Sequence, residues 1–258
     1  MSEKNSGIPL VSVIMPAYNA ERFVEEAVCS VIGQTVLDWE LLVLDDCSYD
    51  GTCAIVERLA EADNRIRLIR NQQNIGVAKT RNRGMDLCKG QYVAFLDSDD
   101  VWHPDKLERQ IALMQETGAD ILYCSYGIMD ENGEKRCDDF VVPKSTDFEA
   151  SLIQSVISCS TALLSRKIVD IYRFDTIYYH EDLALWLRLL RDGYKACGVP
   201  EVLANYRVMA GTRAGNKLRV AAYRWEIYRR QLGFSVARSA KLLLQYGLLG
   251  LKKYKKTK

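Results

Sequence analysis

The sequence predicts an α/β fold with a mostly parallel sheet flanked by helices. Three observations predict it. Short apolar runs alternate with segments of helical spacing through the first half of the chain. The connections between them are short, as in sheets whose successive strands are joined by crossover helices. Acidic side chains follow several of the apolar runs, where ligands bind in such sheets, at the carboxyl ends of the strands.

Strands and helices alternate in the first half of the chain. Leu10–Met15 is a short apolar run closed by Pro16, which predicts a strand. Glu21–Ile32 carries apolar residues at helical spacing. Asp50-Gly51-Thr52 predicts a turn and the start of a helix. The other predicted strands are Glu40–Leu44, Ile66–Ile69, Gln91–Leu96 and Asp120–Tyr126, and the other predicted helices are Val77–Cys88 and Asp105–Gln115.

The second half is less regular. Glu131-Asn132-Gly133-Glu134 predicts a hairpin turn, and the polar stretch 137–150 predicts a loop. From about Lys217 onward the pattern is helical. The other predicted elements are a strand at Ser160–Leu164, a helix at Glu181–Arg191 and a strand at Glu201–Arg207.

Composition bounds the class of protein. A chain of 258 residues with 48% hydrophobic and 27% charged residues can bury a sizeable core in one large domain or two small ones. Its eight cysteines form no C-x-x-C pair, which favours reduced thiols in a cytoplasmic protein. The N-terminal residues lack the basic and apolar pattern of a signal peptide. The apolar stretch Leu242–Leu251 is too short to span a bilayer.

The charge is unevenly distributed. Residues 216–258 hold twelve Lys or Arg and one acid, Glu226, which leaves 23 basic and 33 acidic residues in the rest of the chain. Within 236–258, one helical stripe carries Ala240, Leu244, Leu248 and Leu251. This pattern favours peripheral contact with an anionic membrane surface. Packing on the rest of the chain or in a homodimer is the alternative, and the basic charge lacks the interleaved, exposed aromatic residues typical of nucleic-acid binding.

Three carboxylates in four positions, Asp97, Asp99 and Asp100, follow the predicted strand at Gln91–Leu96. Such a cluster is costly unless a partner offsets its charge, and carboxylate oxygens suit Mg²⁺ or Mn²⁺. Capping of the next helix is the alternative interpretation. The acidic pair Asp45-Asp46, at the end of another strand, favours the metal. The chain has no Walker or dinucleotide glycine motif and no Cys/His spacing typical of zinc.

Four stretches in order resemble the inverting family 2 glycosyltransferases of bacterial cell-surface polysaccharide type. They are "VSVIMPAYNAERFVEEAVCSVIGQT", "ELLVLDDCSYDGT", "NIGVAKTRNRGMDLCKGQYVAFLDSDD" and "HEDLALWLRLLRDGY", which together cover most of residues 10–195. The resemblance implies a Rossmann-like, A-type glycosyltransferase fold. It also implies a nucleotide-sugar donor, a divalent cation (Mn²⁺ or Mg²⁺), and transfer of one sugar with inversion at the anomeric carbon.

The resemblance also assigns roles to residues. Asp46 matches the aspartate that reads the uracil edge, since a fixed carboxylate can accept a hydrogen bond from the N3–H of uracil or thymine. Tyr18 can stack on the base. Asp100 matches the family's principal metal ligand, and Asp97 is an additional acid. The full set of implied nucleotide contacts is Pro16, Ala17, Tyr18, Asp46, Arg81, Asn82 and Asp99, and the implied metal ligands are Asp100 and Asp99.

The resemblance implies that Asp182, in "HEDL", is the base that deprotonates the acceptor hydroxyl. Its place at a predicted helix N-terminus also suits a capping role for the carboxylate. The chain departs from the family pattern at Met209, where a histidine is common. Arg207, Arg213 and Lys217 are therefore candidate ligands of the diphosphate. The Gln-x-x-Arg-Trp motif of processive synthases is absent, which favours addition of a single sugar.

These features predict a catalytic domain at 1–215, with a nucleotide-binding half at about 8–126 and an acceptor half at about 127–215, and a basic helical extension at 216–258. The predicted donor is a UDP-sugar, with a dTDP-sugar as an alternative. The predicted acceptor is a glycan or a lipid-linked saccharide. The predicted location is the cytoplasm, including the inner face of its membrane. A nucleotidyltransferase and a non-catalytic nucleotide-sugar-binding protein are the other functions that such a fold supports.

Overall fold

In the described part of the chain, the architecture is a ten-stranded, mostly parallel sheet flanked by helices. A computed structural model describes the backbone of residues 7–209 and 217–255, and the side chains of 7–209 and 219–249. The strands are β1 Val11–Ala17, β2 Trp39–Asp45, β3 Ile66–Arg70, β4 Tyr92–Phe95, β5 Val101–Trp102, β6 Ile121–Met129, β7 Lys135–Phe140, β8 Ser145–Thr146, β9 Leu163–Ser165 and β10 Ala196–Arg207. The helices are α1 Val24–Ile32, α2 Thr52–Ala62, α3 Val77–Leu87, α4 Lys106–Thr117, α5 Phe148–Ile153, α6 Arg166–Val169, α7 Glu181–Arg191, α8 Lys217–Glu226 and α9 Val236–Lys255. A π-helical turn, Ile227–Gln231, follows α8.

The sheet order is β3-β2-β1-β4-β9-β6-β10-β5, with β7 paired to β6 and β8 to β10. The strands β1 to β4 are parallel, and β10 is parallel to β6. The antiparallel strand β9 joins β4 to β6. The same sheet therefore runs through both predicted halves of the chain. The ends of β1, β2 and β4 open onto the same edge, which is where the candidate site lies.

Both faces of the sheet are covered. In β1, Val13 and Met15 join the hydrophobic core on one face, whereas Ile14 joins the core on the other. This alternation follows from the two-residue period of a strand. Gly84 of α3 lies against Ile14, and a Cβ built on this glycine would lie 2.5 Å from Ile14 Cγ2. The glycine thus lets α3 approach the sheet closely.

Helix α7 is buried on two sides. Leu185 and Trp186 pack on the core under the sheet, while Leu183 and Leu187 pack on a third cluster that includes Tyr228. That third cluster also contains Leu152 of α5, Ile227 of the π-helical turn and Leu242 of α9. The C-terminal extension therefore packs on α5 and α7. Within the described residues, no helix is long and apolar enough to cross a membrane.

The structure confirms the predicted alternation of the first half and the hairpin turn, where the Asp130 amide bonds to the Glu134 carbonyl. The prediction of a loop over 137–150 is wrong. Lys135–Phe140 is an edge strand and Phe148–Ile153 is a helix. The strand is exposed along most of its length and so lacks the apolar alternation that predicts strands. Asp147 caps the helix by accepting from the Ala150 amide at 2.8 Å.

Candidate active site

A cavity of about 980 Å³ lies at the carboxyl edge of the sheet. Its walls come from the end of β1, the loop after β2, the start of α3, the loop after β4, the segment 155–159 and the start of α7. The C-terminal helices complete it through Val220, Arg224 and Tyr246. Of the residues that the sequence singles out, the cavity brings together Pro16, Ala17, Tyr18, Asp46, Arg81, Asp97, Asp99 and Asp182.

Asp46 is held in a fixed orientation. Its Oδ1 accepts from Asn71 Nδ2 at 2.7 Å and from the Ile75 amide at 2.9 Å, and its Oδ2 accepts from the Gly76 amide at 2.8 Å. Gly76 precedes α3 and has a φ of 85°, a conformation that favours glycine. A carboxylate has about four acceptor positions, and these three donors leave one for a ligand. The carboxylate can therefore accept from a nucleobase without reorienting.

The end of β1 supplies the neighbouring wall. The Asp46 amide donates to the Ala17 carbonyl at 2.8 Å, which joins the two loops. Tyr18 is 49% exposed and lies edge-on to Tyr49, with ring centroids 6.3 Å apart. A partly exposed phenol ring beside a fixed carboxylate offers one apolar face and one polar edge. This combination suits a flat nucleobase.

Arg81 joins the two sides of the cavity. Its guanidinium contacts Asp97 at 2.5 Å and Glu181 at 2.6 Å, and it lies over the Phe174 ring at 5.5 Å from the centroid. Burial alone would lower the pKa of Arg81, but the Asp97 carboxylate and then Glu181 outweigh it, so the guanidinium stays charged. The two ion pairs of Arg81 also connect the first turn of α7 to the loop after β4. Arg81 thus positions two acidic segments that lie 84 residues apart in sequence.

Asp97 and Asp99 face the cavity, whereas Asp100 lies behind them. Asp100 is buried, and it accepts from the Ser160 hydroxyl at 2.5 Å and from the Arg207 amide at 2.9 Å. The Ser160 hydroxyl oxygen also accepts from the Asp97 amide at 3.1 Å. Ser160, which lies in no functional motif of the sequence, therefore fixes both ends of the acidic loop. Asp100, which the resemblance assigns as the principal metal ligand, does not line the cavity and instead supports the loop, whereas Asp97 and Asp99 present carboxylates to a ligand.

The charge on this loop suits a cation. Burial, followed by repulsion from Asp97, raises the pKa of Asp99 to about 6. Within the described residues, no three His, Cys, Asp or Glu side chains are grouped as a metal site. Two carboxylates are nevertheless enough for Mg²⁺ or a similar ion, which completes its shell with phosphate oxygens of a substrate. The residues present therefore fit a divalent cation that is held jointly with a diphosphate.

Asp182 lies in the first turn of α7 and lines the cavity. Its Oδ1 accepts from the Leu183 amide at 2.7 Å. Burial raises the pKa of Asp182, and the Leu183 hydrogen bond and the charge of Arg81 partly oppose that rise. The neighbouring Glu181 is engaged by Arg81. Asp182 is therefore the carboxylate of this pair that remains available to a proton donor in the cavity.

Two further predicted residues, Asn82 and Arg207, do not line the cavity. Asn82 exchanges two hydrogen bonds with the Phe174 backbone, each 2.8 Å long, and so holds α3 to the segment before α7. Arg207 is buried, and its guanidinium donates to the Asp99 carbonyl at 2.8 Å and to Glu26 at 2.5 Å. Arg213 lies outside the described residues, and so does the side chain of Lys217. No sequence motif marked the cavity residues Arg224 and Tyr246.

Comparisons with known proteins identify the family of the chain. The profile of Glycosyl transferase family 2 matches residues 12–171. TuaG of Bacillus subtilis strain 168, a glycosyltransferase named for teichuronic acid biosynthesis, is 36% identical over 246 residues, which cover 95% of this chain and 97% of that protein. The Escherichia coli protein WfgD, named a UDP-Glc:alpha-D-GlcNAc-diphosphoundecaprenol beta-1,3-glucosyltransferase, is 35% identical over 246 residues, or 95% of each chain.

Solved structures share the fold. TarS of S. aureus (residues 1–349), in complex with UDP-GlcNAc, superposes with a TM-score of 0.70 at 22% identity, over 92% of this chain and 71% of that one. The mannosyltransferase PcManGT of Pyrobaculum calidifontis, in complex with GDP-Man and Mn²⁺, gives a TM-score of 0.67 at 20% identity, over 93% of this chain and 69% of that one.

The sheet has the A-type glycosyltransferase fold, and the family match and the named relatives identify the chain as a glycosyltransferase. The chain belongs to glycosyl transferase family 2.

Proposed function

We propose that this enzyme transfers one sugar from a UDP-sugar to a hydroxyl group of a lipid-linked saccharide, with inversion, in the assembly of a cell-surface polysaccharide. The observation that carries the proposal is that one cavity brings together Asp46, the pair Asp97 and Asp99, and Asp182. WfgD, which covers the same length, is named for a UDP-sugar donor and a diphosphoundecaprenol-linked acceptor. The proposed reaction takes place in the cytoplasm.

Donor binding follows from the fixed carboxylate. The remaining acceptor position of Asp46 takes the N3–H of uracil, and Tyr18 stacks on the ring. Thymine presents the same edge, so a dTDP-sugar is the alternative donor. Asp99 and Asp97 would hold a divalent cation, Mn²⁺ or Mg²⁺, which when bound offsets the charge of the leaving diphosphate. Asp100, behind the loop, keeps these two carboxylates in place.

Asp182 acts on the acceptor side. In a single displacement, the acceptor oxygen forms a bond to the anomeric carbon as the bond to the diphosphate oxygen breaks. The hydroxyl proton passes to Asp182, and the nucleoside diphosphate leaves with the electron pair. Burial raises the pKa of Asp182 and so makes it a better base than an ordinary aspartate. Arg81 keeps the acidic loop and the first turn of α7 in register during this step.

The substitution Asp182→Asn tests the assignment. It keeps the size of the side chain and removes the base, so transfer should fall roughly 100- to 10,000-fold while UDP still binds. Transfer is measured as UDP release in the presence of acceptor, across a panel of UDP- and dTDP-sugars with Mn²⁺, Mg²⁺ or chelator. UDP binding is measured by calorimetry. Asp138→Asn, on the exposed strand β7, is the matched control and should leave both quantities unchanged.

The results separate the parts of the proposal. Unchanged transfer in Asp182→Asn would remove this residue as the base. Transfer that does not depend on a cation in the wild type would remove the proposed role of Asp97 and Asp99. Preference for a nucleotide without uracil or thymine would contradict the role of Asp46.

Membrane contact through α9 is part of the proposal, because a lipid-linked acceptor must reach the cavity from a bilayer. The buried face of α9 carries Ser239 and Leu242. Its other face exposes Leu244 and Leu248, which are 65% and 52% accessible, and the chain continues into lysines at 252–258. An exposed apolar stripe beside basic residues suits an anionic membrane surface. A homodimer that covers the same stripe is the alternative.

A further inference from the structure

The cavity continues past the proposed donor residues into a wall built by the C-terminal helices. Tyr223 of α8 stacks on Tyr179, with centroids 4.3 Å apart, and faces the His180 ring at 5.5 Å. The two contacted residues, Tyr179 and His180, lie just before Asp182 in the chain. One turn further on, Tyr228 packs in the cluster that contains Leu183. This wall therefore lies on the side of the proposed base, and not on the side of Asp46.

Arg224 is the charged residue of this wall. It is 5% exposed and lines the cavity. Its described contacts are all with neutral groups: it donates to the Leu152 carbonyl at 3.0 Å and to the Tyr228 hydroxyl at 3.3 Å, and it lies over the Tyr246 ring at 4.3 Å. By contrast, the other two arginines that are buried among the described residues, Arg81 and Arg207, each contact a carboxylate at 2.5 Å.

A buried guanidinium without a counter-charge is costly, because burial removes the water that solvates it. Within the part of the chain that the structure describes, no salt bridge satisfies Arg224. The guanidinium has five N–H donors, and one of its nitrogens, Nη1, makes the two hydrogen bonds described. An anion in the cavity would supply both the missing charge and further acceptors.

We propose that Arg224 binds the diphosphate of the acceptor, and that α8 and α9 form an acceptor-diphosphate subsite. This inference rests on the proposed function above. The order of lipid, diphosphate and sugar in such an acceptor supports this assignment. In a lipid-linked saccharide the diphosphate lies between the lipid and the sugar. In the structure, Arg224 lies against Tyr246 of α9, whose outer face exposes Leu244 and Leu248, and its neighbour Tyr223 contacts the residues that precede Asp182.

The test compares two acceptors that differ in one group. One is an N-acetylglucosaminyl diphosphate ester of a short alkyl chain, and the other is the neutral alkyl glycoside of the same sugar. Arg224→Gln keeps a donor for the Leu152 carbonyl but removes the charge. It should raise the KM for the diphosphate acceptor roughly 10- to 100-fold and leave the KM for the neutral glycoside unchanged. Arg224→Lys should recover part of the loss.

Two measurements keep this result specific. The Kd of UDP should stay at the wild-type value, and the Tm of each variant should not fall below that of the wild type. Arg230→Gln, which removes an exposed arginine of the same extension, is the matched control and should behave as the wild type. On the wild type alone, an alkyl diphosphate without a sugar should inhibit competitively against the acceptor and not against the donor. This last experiment stands even if Arg224→Gln does not fold.

Other outcomes overturn the inference in distinguishable ways. A rise in the Kd of UDP in Arg224→Gln would assign the residue to the donor. An equal loss with both acceptors would assign it a structural role. A wild type that uses both acceptors equally well would leave the glycosyltransferase standing and remove the subsite. A wild type that uses neither acceptor with any UDP-sugar would overturn the proposed function, and the subsite with it.

Discussion

Replacing Arg81 with methionine should destabilise the protein severely, because it leaves two carboxylates without their shared counter-charge. Arg81 is buried, and it contacts Asp97 at 2.5 Å and Glu181 at 2.6 Å. Removing one partner from a buried ion pair costs about 3–5 kcal/mol, much of it the burial of the charge left behind. The expected decrease in the free energy of unfolding is therefore about 3–5 kcal/mol at neutral pH.

The exposure of the two carboxylates predicts which of them accounts for most of the stability lost in Arg81→Met. The Glu181 side chain is 11% exposed, whereas that of Asp97 is 31% exposed and can reach water in the cavity. Adding Glu181→Gln to Arg81→Met should therefore recover about 1–2 kcal/mol, because it neutralises the more buried carboxylate. The coupling between the two substitutions should fall within the range of residues in direct contact, about 0.5–3 kcal/mol.

The assay is urea denaturation followed by far-UV circular dichroism, with chelator present so that no cation compensates Asp97. It covers the wild type, both single variants and the double variant. Lys79→Met, an exposed substitution on the same helix, is the control and should change stability by less than about 0.5 kcal/mol. A cost below about 1 kcal/mol for Arg81→Met, or strict additivity in the double variant, would refute the view that this ion pair joins the two sides of the cavity.

Further predictions concern Cys47, Asp99 and the exposed face of α9. Cys47 has a φ of 68°, a left-handed conformation that costs a non-glycine residue energy, so Cys47→Gly should raise the free energy of unfolding by about 1 kcal/mol in urea denaturation while Cys47→Ala should not. The pKa of Asp99 is raised from 3.8 to about 6 in the folded protein, so the metal-free protein should lose stability as the pH rises from about 4 through 6. The Tm increase caused by Mn²⁺ should be larger at pH 7.5 than at pH 5, and an equal increase at both would contradict the role of Asp99. The double variant Leu244→Glu and Leu248→Glu should lose cosedimentation with anionic vesicles but keep transfer to the short-chain acceptor, whereas full retention on vesicles would exclude α9 as the membrane contact.

The sequence predicted the parts of the fold that depend on local patterns. The first four strands and their helices have apolar spacing that identifies them, and the acidic residues at the ends of β2 and β4 marked the edge where the cavity lies. Strands β5 and β7 carry no such signal. Val101–Trp102 is too short to show a period and is defined by pairing with β10, and β7 is a polar edge strand. Their positions depend on partners that are distant in sequence.

The same limit applies to the site. Asp46 and Asp182 stand in recognisable motifs, and the structure places both on the cavity. Neither Ser160, which bonds Asp100, nor Arg224, which enters from the C-terminal extension, lies in a motif. For Arg207 the charge alone predicted a phosphate ligand, whereas its contacts are with Glu26 and backbone carbonyls. The sequence alone does not show whether a charged side chain is already paired with an oppositely charged side chain of the same protein.

The hydrogen bond from the Arg207 amide to Asp100 has a consequence for how the molecule is made. The acidic loop after β4 emerges from the ribosome early, but the amide that fixes Asp100 belongs to the last residue of β10, more than a hundred positions later. A nascent chain that ends before β10 therefore lacks this support for the loop. We expect an excised fragment spanning residues 8–126 to bind Mn²⁺ and UDP far more weakly than the whole chain does, even where its four parallel strands form.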